Sequence, residues 1–173
     1  MDRLLLPLTA MLLGHGCVST PRTELVVFVE SDLARPDPLS RVTISVRHGE
    51  RELGPFSDIV DPARSDAREL PISLGLTNRT VGEDLIEITA TAANRDGDVV
   101  SQSARVRFVP ERARAICLRL DDACRGVVCA EGTCAAGRCI DASLDVDALP
   151  AIDAAGVDAF RCPQSSHTIE VGP

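Results

Sequence analysis

The sequence contains no Lys, no Trp and no Tyr, and its aromatic residues are four Phe. All 18 basic side chains are therefore Arg, against 26 Asp and Glu, which gives a formal net charge of −8. This charge excludes general nucleic-acid binding, because neutralisation of phosphates supplies most of that affinity. The missing aromatics disfavour a stacking sugar site and leave Val, Ile, Leu and Ala to build the core.

Motifs that would assemble an enzyme site are also missing. There is no G-x-S-x-G, no H-E-x-x-H, no P-loop and no Rossmann glycine pattern. A Ser or Cys nucleophile needs a base within reach. His48 lies at the end of a predicted strand and His167 lies near the C-terminus, so neither is an obvious candidate for that base. The sequence predicts a protein that is not an enzyme and that holds no cofactor and no metal. A hydrolase with an unfamiliar site is the remote alternative.

No apolar run is long enough to cross a membrane. Leu4–Leu13 is the longest such run, and it has about half of the roughly 20 residues that a spanning helix needs. It predicts a signal peptide over residues 1–16. The run leads into Gly16, a small residue, followed by Cys17. This junction resembles the lipobox of bacterial lipoproteins.

The resemblance implies that Cys17 carries a lipid and that residues 17–23 form a short lipidated tether. Val18, rather than Asp, follows this cysteine, which by the same resemblance implies an outer-membrane protein facing the periplasm or the cell surface. The expected partner is thus the membrane, through the lipid anchor. The alternative is an ordinary cleaved signal and a secreted protein. The number of cysteines favours lipidation of Cys17, because the chain has seven and the other six can all pair in disulfides.

Residues 24–120 alternate between apolar and polar side chains. Val42, Ile44 and Val46 share one face of a segment, and the same period recurs in later segments of this range. Strict alternation indicates half-buried strands of an antiparallel sheet. Six or seven such strands predict an all-β fold, an immunoglobulin-like or related β-sandwich. The later alternating segments are residues 86–92, 104–108 and 116–120.

Three further features complete the prediction for this domain. Leu25–Val29 is continuously apolar, which indicates a central strand, whereas Pro71 moves the strand predicted over Glu69–Leu76 toward an edge. Residues 94–98 predict a hairpin loop with Gly97 at positive φ. Gly54 and Pro55 are typical of a loop and are expected to interrupt the strand pattern.

A cysteine-rich module occupies residues 117–140. Small, turn-forming residues separate its cysteines, so disulfides are expected to replace a core. Four residues separate each cysteine from the next between Cys124 and Cys139, and no His lies among them, which disfavours a structural zinc site. The absence of a C-x-x-C motif disfavours a redox-active dithiol. Six cysteines allow 15 pairings, and Cys117 is expected to attach the module to the sandwich. Residues 124–139 resemble short EGF-like, Cys-rich modules of bacterial surface proteins. The predicted disulfide residues are Cys117, Cys124, Cys129, Cys134, Cys139 and Cys162.

Residues 141–173 form an acidic, Asp- and Ala-rich tail, whose first part has no basic residue up to Ala159. Self-repulsion predicts an extended low-complexity linker, which Cys162 is expected to tie back to the module. Asp145 and Asp147 begin a calcium-loop pattern, but Leu149 and Pro150 break it.

One basic cluster remains, formed by Arg105, Arg107, Arg112, Arg114 and Arg119. Its simplest interpretation is the solvated face of two strands. It is otherwise a dock for an anionic glycan or envelope polymer, for a partner protein, or for the chain's own acidic tail. Taken together, the sequence predicts a non-enzymatic surface structural or interaction module of the cell envelope. A ligand-binding module that uses this cluster is the alternative.

Overall fold

The computed structural model describes residues 23–33, 39–61, 63–78, 85–152, 157 and 160–163. The predicted signal peptide, Cys17 and His167 lie outside these residues. The described chain forms nine strands and two single-turn 3₁₀ helices, at Asp122–Cys124 and Val146–Ala148. The strands are β1 (Glu24–Ser31), β2 (Arg41–His48), β3 (Arg51–Ile59), β4 (Ile72–Thr77), β5 (Leu85–Asn94), β6 (Gly97–Arg107), β7 (Ala113–Leu120), β8 (Thr133–Ala135) and β9 (Arg138–Ile140).

Seven of these strands form two sheets. One sheet has the order β4-β1-β7 and the other the order β3-β2-β5-β6. The four-stranded sheet is antiparallel throughout, whereas β1 pairs antiparallel with β4 and parallel with β7. The parallel pair departs from the expected antiparallel pattern. It arises because β7 starts at the end where β1 starts, with Glu24 opposite Ala113.

The inward-facing side chains of both sheets share one aliphatic core. Val27, Val29 and Ile116 enter it from the smaller sheet, and Val42 and Ile88 enter it from the larger one. Each of these five side chains is fully buried. Alternation in β2 and β5 puts hydroxyl and charged side chains on the outer face, as the sequence predicts. The all-β sandwich prediction is confirmed.

Several local predictions are confirmed as well. β1 is buried from Leu25 to Val29 and lies between β4 and β7, so it is the central strand. β4 is an edge strand and begins just after Pro71. The loop between β5 and β6 is a tight hairpin in which Gly97 has φ of 136°. Asn94 Oδ1 accepts the amide hydrogens of Asp96 and Gly97, which fixes this turn.

The prediction of a loop at Gly54 and Pro55 is wrong, because both residues lie inside β3. β3 is the edge strand next to β2, and edge strands and bulges are the places where a sheet tolerates Pro. Its register against β2 shifts between Ile44 and Val46. The strand has no buried residue. Without a buried face there is no alternation, which is why the pattern analysis missed it.

The acidic tail also differs from the extended spacer that the sequence predicts. Ser143 forms a parallel bridge with Arg105 of β6, and Ala151 forms an antiparallel bridge with Arg114 of β7. β6 and β7 are the outer strands of their sheets on this side, so one segment adds hydrogen bonds to both edges. Ala142 is buried at 2% exposure. Packing and backbone pairing outweigh the self-repulsion that the composition suggests.

Candidate functional site

Three disulfides join the six cysteines in the described part of the chain. Cys124 pairs with Cys134 and Cys129 with Cys139, each across ten residues. Cys117 pairs with Cys162, 45 residues away. Disulfide pairing of all six cysteines is therefore as predicted. It indicates an oxidising, extracytoplasmic environment, because reduced compartments keep such thiols free.

The pairing corrects two expectations about attachment. Cys117 does not hold the module to the sandwich, and Cys162 does not tie the tail to the module; instead these two join the tail to β7. The module is attached by packing, since Cys124 and Cys134 belong to the main core. Ser103 of β6 donates its amide hydrogen to Thr133 Oγ1 at 2.7 Å, which aligns the β8–β9 hairpin beside the sheet.

The end of the tail covers the outer face of the smaller sheet. Val26, Phe28 and Ala115 form a second buried cluster there, against which Phe160 and neighbouring tail residues pack. The Phe28 and Phe160 rings lie 4.6 Å apart between centroids, within the range of a favourable aromatic pair. We call the described tail residues 141–152, 157 and 160–162 the strap. The strap gives the smaller sheet a core on both of its faces.

The five clustered arginines do not converge on one site. Arg105 contacts Glu87 at 3.3 Å, and Arg119 contacts Asp32 at 3.3 Å. Arg112 meets Asp147 of the strap at 3.5 Å, and Arg114 Nη1 donates to the carbonyl oxygen of Leu149 at 3.2 Å. Arg107 also has an interaction partner. Because Arg112 and Arg114 contact the strap, the geometry favours the interpretation in which the cluster binds the chain's own tail.

This arrangement makes a prediction about anionic ligands. The double variant Arg105→Gln, Arg107→Gln is expected to elute from an immobilised polyanion at the same salt concentration as the wild type. The reason is that nearby acidic groups such as Glu87 already reduce the positive potential of these arginines, so they add little to the attraction of a polyanion. Arg125→Gln with Arg138→Gln, in the module, is the matched control. Earlier elution of the first variant alone would restore the anionic-ligand interpretation.

Asp61 is a buried carboxylate, with 8% of its surface exposed. Its Oδ1 accepts the Ala63 amide hydrogen at 2.9 Å, and its Oδ2 accepts from Arg95 Nη2 at 3.1 Å. The amide hydrogen bond, followed by the Arg95 contact, lowers the pKa of Asp61 below 3.8. Both contacts favour the ionised form in the folded state. Asp61 therefore anchors the loop after β3 to the hairpin that carries Arg95.

A depressed carboxyl pKa has a defined effect on stability. Ionised Asp61 stabilises the fold above its unfolded pKa, and this contribution is lost as pH falls through its folded pKa. Asp61→Asn is expected to lower the urea midpoint at pH 7. The difference in midpoint from the wild type should shrink when the pH is below 3.8, the ordinary pKa of an Asp side chain. Arg95→Gln keeps the larger, amide contribution, so it should show the same trend with a smaller loss. A pH-independent difference for Asp61→Asn would contradict this assignment.

An open cavity of about 400 Å³ lies at one end of the sandwich, and the sequence analysis did not find it. At this end β1 begins at Glu24, β5 begins at Leu85 and β6 ends at Arg107. We call this end of the sandwich the tether end, because β1, which follows the N-terminal residues 1–22, begins there. No sequence pattern marks the cavity, since its lining comes from strands distant in sequence. Val46, Leu53, Leu76, Ile86 and Phe108 supply apolar surface, and His48, Arg51, Thr77 and Asn78 supply polar groups.

In the described ranges, no three His, Cys, Asp or Glu side chains are grouped so that they could hold a metal ion. None of the helices in these ranges has the length and apolar character needed to cross a membrane. The six disulfide-bonded cysteines cannot serve as thiolate nucleophiles while they are paired. Comparison of the chain with protein-family models, curated proteins and solved structures found no match.

Proposed function

We propose that this chain is an exported protein of the bacterial cell envelope, anchored through a lipid on Cys17. Its sandwich would serve as a non-enzymatic structural or interaction module on the outer membrane. The observation that carries the proposal is the disulfide pattern. Six cysteines pair among themselves, so none of them is left for Cys17, the seventh.

An odd cysteine in an oxidising compartment requires an explanation. A thioether to a lipid supplies one, because it removes the thiol from disulfide exchange. The lipobox-like residues before Cys17 agree with this assignment, as does the short segment between Cys17 and β1 at Glu24. Six residue steps from Cys17 to Thr23 span at most about 20 Å. The anchor would therefore hold the tether end close to the membrane.

The cysteine-rich module supports an interaction role. It follows Leu120, at the end of the sandwich opposite the tether end, so the proposed anchor would direct it away from the membrane. Val128 is 91% exposed and Ile140 is 49% exposed, and each is next to a cysteine of the Cys129–Cys139 disulfide. This disulfide brings the chain segments that carry the two side chains together, and apolar side chains that are exposed as a group mark a contact surface. The partner that fits is another surface protein.

The test is mass spectrometry of the mature N-terminus, on protein extracted from membranes of the producing cells. The proposal predicts that the first residue is Cys17 and that its peptide carries the mass of attached acyl chains. Neutral hydroxylamine, which cleaves thioesters but spares oxygen esters, should leave a thioether-linked lipid in place. An unmodified Cys17, an intact Met1, or a terminus at any other residue would refute the anchor.

A further inference from the structure

We infer that the cavity at the tether end is a binding site for an acyl chain. Its volume of about 400 Å³ falls within the roughly 300–1,000 Å³ that is usual for small-molecule sites. The identity of the ligand rests on the proposed lipid anchor, which places this end of the sandwich at a membrane. The cavity itself is a property of the described strands and does not depend on the anchor.

The base of the cavity consists of core side chains from the larger sheet. Val46 of β2 and Ile86 of β5 line it, although they are only 2% and 3% exposed. Leu76 of β4 faces them from the smaller sheet, and Leu53 of the edge strand β3 forms one wall at 37% exposure. Such a base favours an apolar occupant, because each square ångström of apolar surface removed from water contributes about 25 cal/mol.

The rim of the cavity is polar, and its charged lining residue, Arg51, lies between two acidic residues in the chain. His48 and Arg51 lie on it, and Glu50 and Glu52 flank Arg51 in the chain. The two carboxylates oppose the attraction that Arg51 exerts on an anion. Charge at the rim therefore does not select an anionic ligand, and burial of an apolar chain is the dominant contribution. The guanidinium of Arg51 can donate hydrogen bonds to the polar end of a lipid.

The N-terminal segment enters the fold at the rim of this cavity. The amide nitrogen of Asn78, a lining residue, donates to the carbonyl oxygen of Thr23 at 3.3 Å. Cys17 is six residues before Thr23, so a lipid on its sulfur starts within about 20 Å of the rim. The acyl chain has two sources that share this chemistry, namely the chain's own anchor and a phospholipid of the membrane below.

The test uses the full mature protein in vesicles of phosphatidylethanolamine and phosphatidylglycerol. In one arm a phospholipid carries a photoactivatable group within its acyl chain. In the other arm the same fatty acid is incorporated into the anchor during growth. After irradiation, tandem mass spectrometry locates the cross-links. Label on Val46 or Ile86 is expected, because only a chain inside the cavity reaches these buried side chains, and the arm that gives the label identifies the source.

A neighbouring pair of residues provides the internal control. Leu85 is 48% exposed at the same end of the sandwich, whereas Ile86 is buried. A chain that only touches the surface labels Leu85 and not Ile86, and that result would overturn the inference. Absence of label on Val46 and Ile86 in both arms would overturn it as well.

A variant that fills the cavity mouth gives a second, independent test. Leu53→Trp, on the edge strand, should reduce labelling of Ile86 at least fivefold. Leu144→Trp, at a similarly exposed strap position away from the cavity, should leave it unchanged. Equal labelling of wild type and Leu53→Trp would contradict the site. The mass of the N-terminal peptide is measured on the same sample, so loss of the lipid on Cys17 is distinguished from failure of the acyl site.

Discussion

Replacing Cys117 and Cys162 together by Ser is expected to lower the free energy of unfolding by about 3 kcal/mol. The disulfide closes a segment of 45 residues, for which the loop-entropy relation gives about 4 kcal/mol. The Cys124–Cys134 and Cys129–Cys139 bonds lie within this segment and shorten its effective length, which reduces the expected value. Urea denaturation followed by circular dichroism measures the change.

The matched control is the double variant Cys129→Ser, Cys139→Ser. It removes a disulfide that closes ten residues and leaves the strap attached. Both variants lose stability, but only the first should expose the bond after Arg161, next to Cys162, to trypsin under native conditions. Equal protection of this bond in the two variants would mean that Cys117–Cys162 does not hold the strap in place.

Phe28→Ala is expected to cost about 3 kcal/mol, at the lower end of values for a buried Phe. Phe28 lies on the outer face of the smaller sheet, where it would contact solvent if the strap were absent, yet it is only 4% exposed. Its ring is buried against Phe160. The large cost thus depends on the strap, and equilibrium unfolding in urea measures it.

Phe56→Ala is the matched control for this residue type. Phe56 lies on β3 and is 43% exposed, so its truncation should cost less than about 1 kcal/mol. In the background that lacks Cys117 and Cys162, the cost of Phe28→Ala should fall by about 1 kcal/mol, since residues in one contact network couple. Equal costs in the two backgrounds would show that Phe28 and the strap are independent.

The strands that sequence alone predicted are those with one buried face. β2 and β5 alternate because their inner side chains enter the shared core and their outer ones face solvent. β1 is continuously apolar because its outer face is covered as well, by the strap against Val26 and Phe28. The sequence analysis recognised β1 as central but had no signal for what covers it.

The parts that sequence could not predict depend on contacts distant in the chain. β3 has no buried residue, so no pattern distinguishes it from a loop with Gly54 and Pro55. The strap has the composition of a linker. Its position is set by backbone pairing with the edge strands β6 and β7, at Arg105 and Arg114. The cavity and the disulfide pairing arise in the same way, since spacing does not encode which distant groups meet.

The acidic tail is part of the folded domain, and the Cys117–Cys162 disulfide fastens it to β7. The most direct test is disulfide mapping of the exported protein, alkylated before cell disruption and digested without reduction. We expect peptides that link Cys117 with Cys162, Cys124 with Cys134, and Cys129 with Cys139. Alkylated Cys117 or Cys162, or a bond from either of them to a module cysteine, would contradict this expectation.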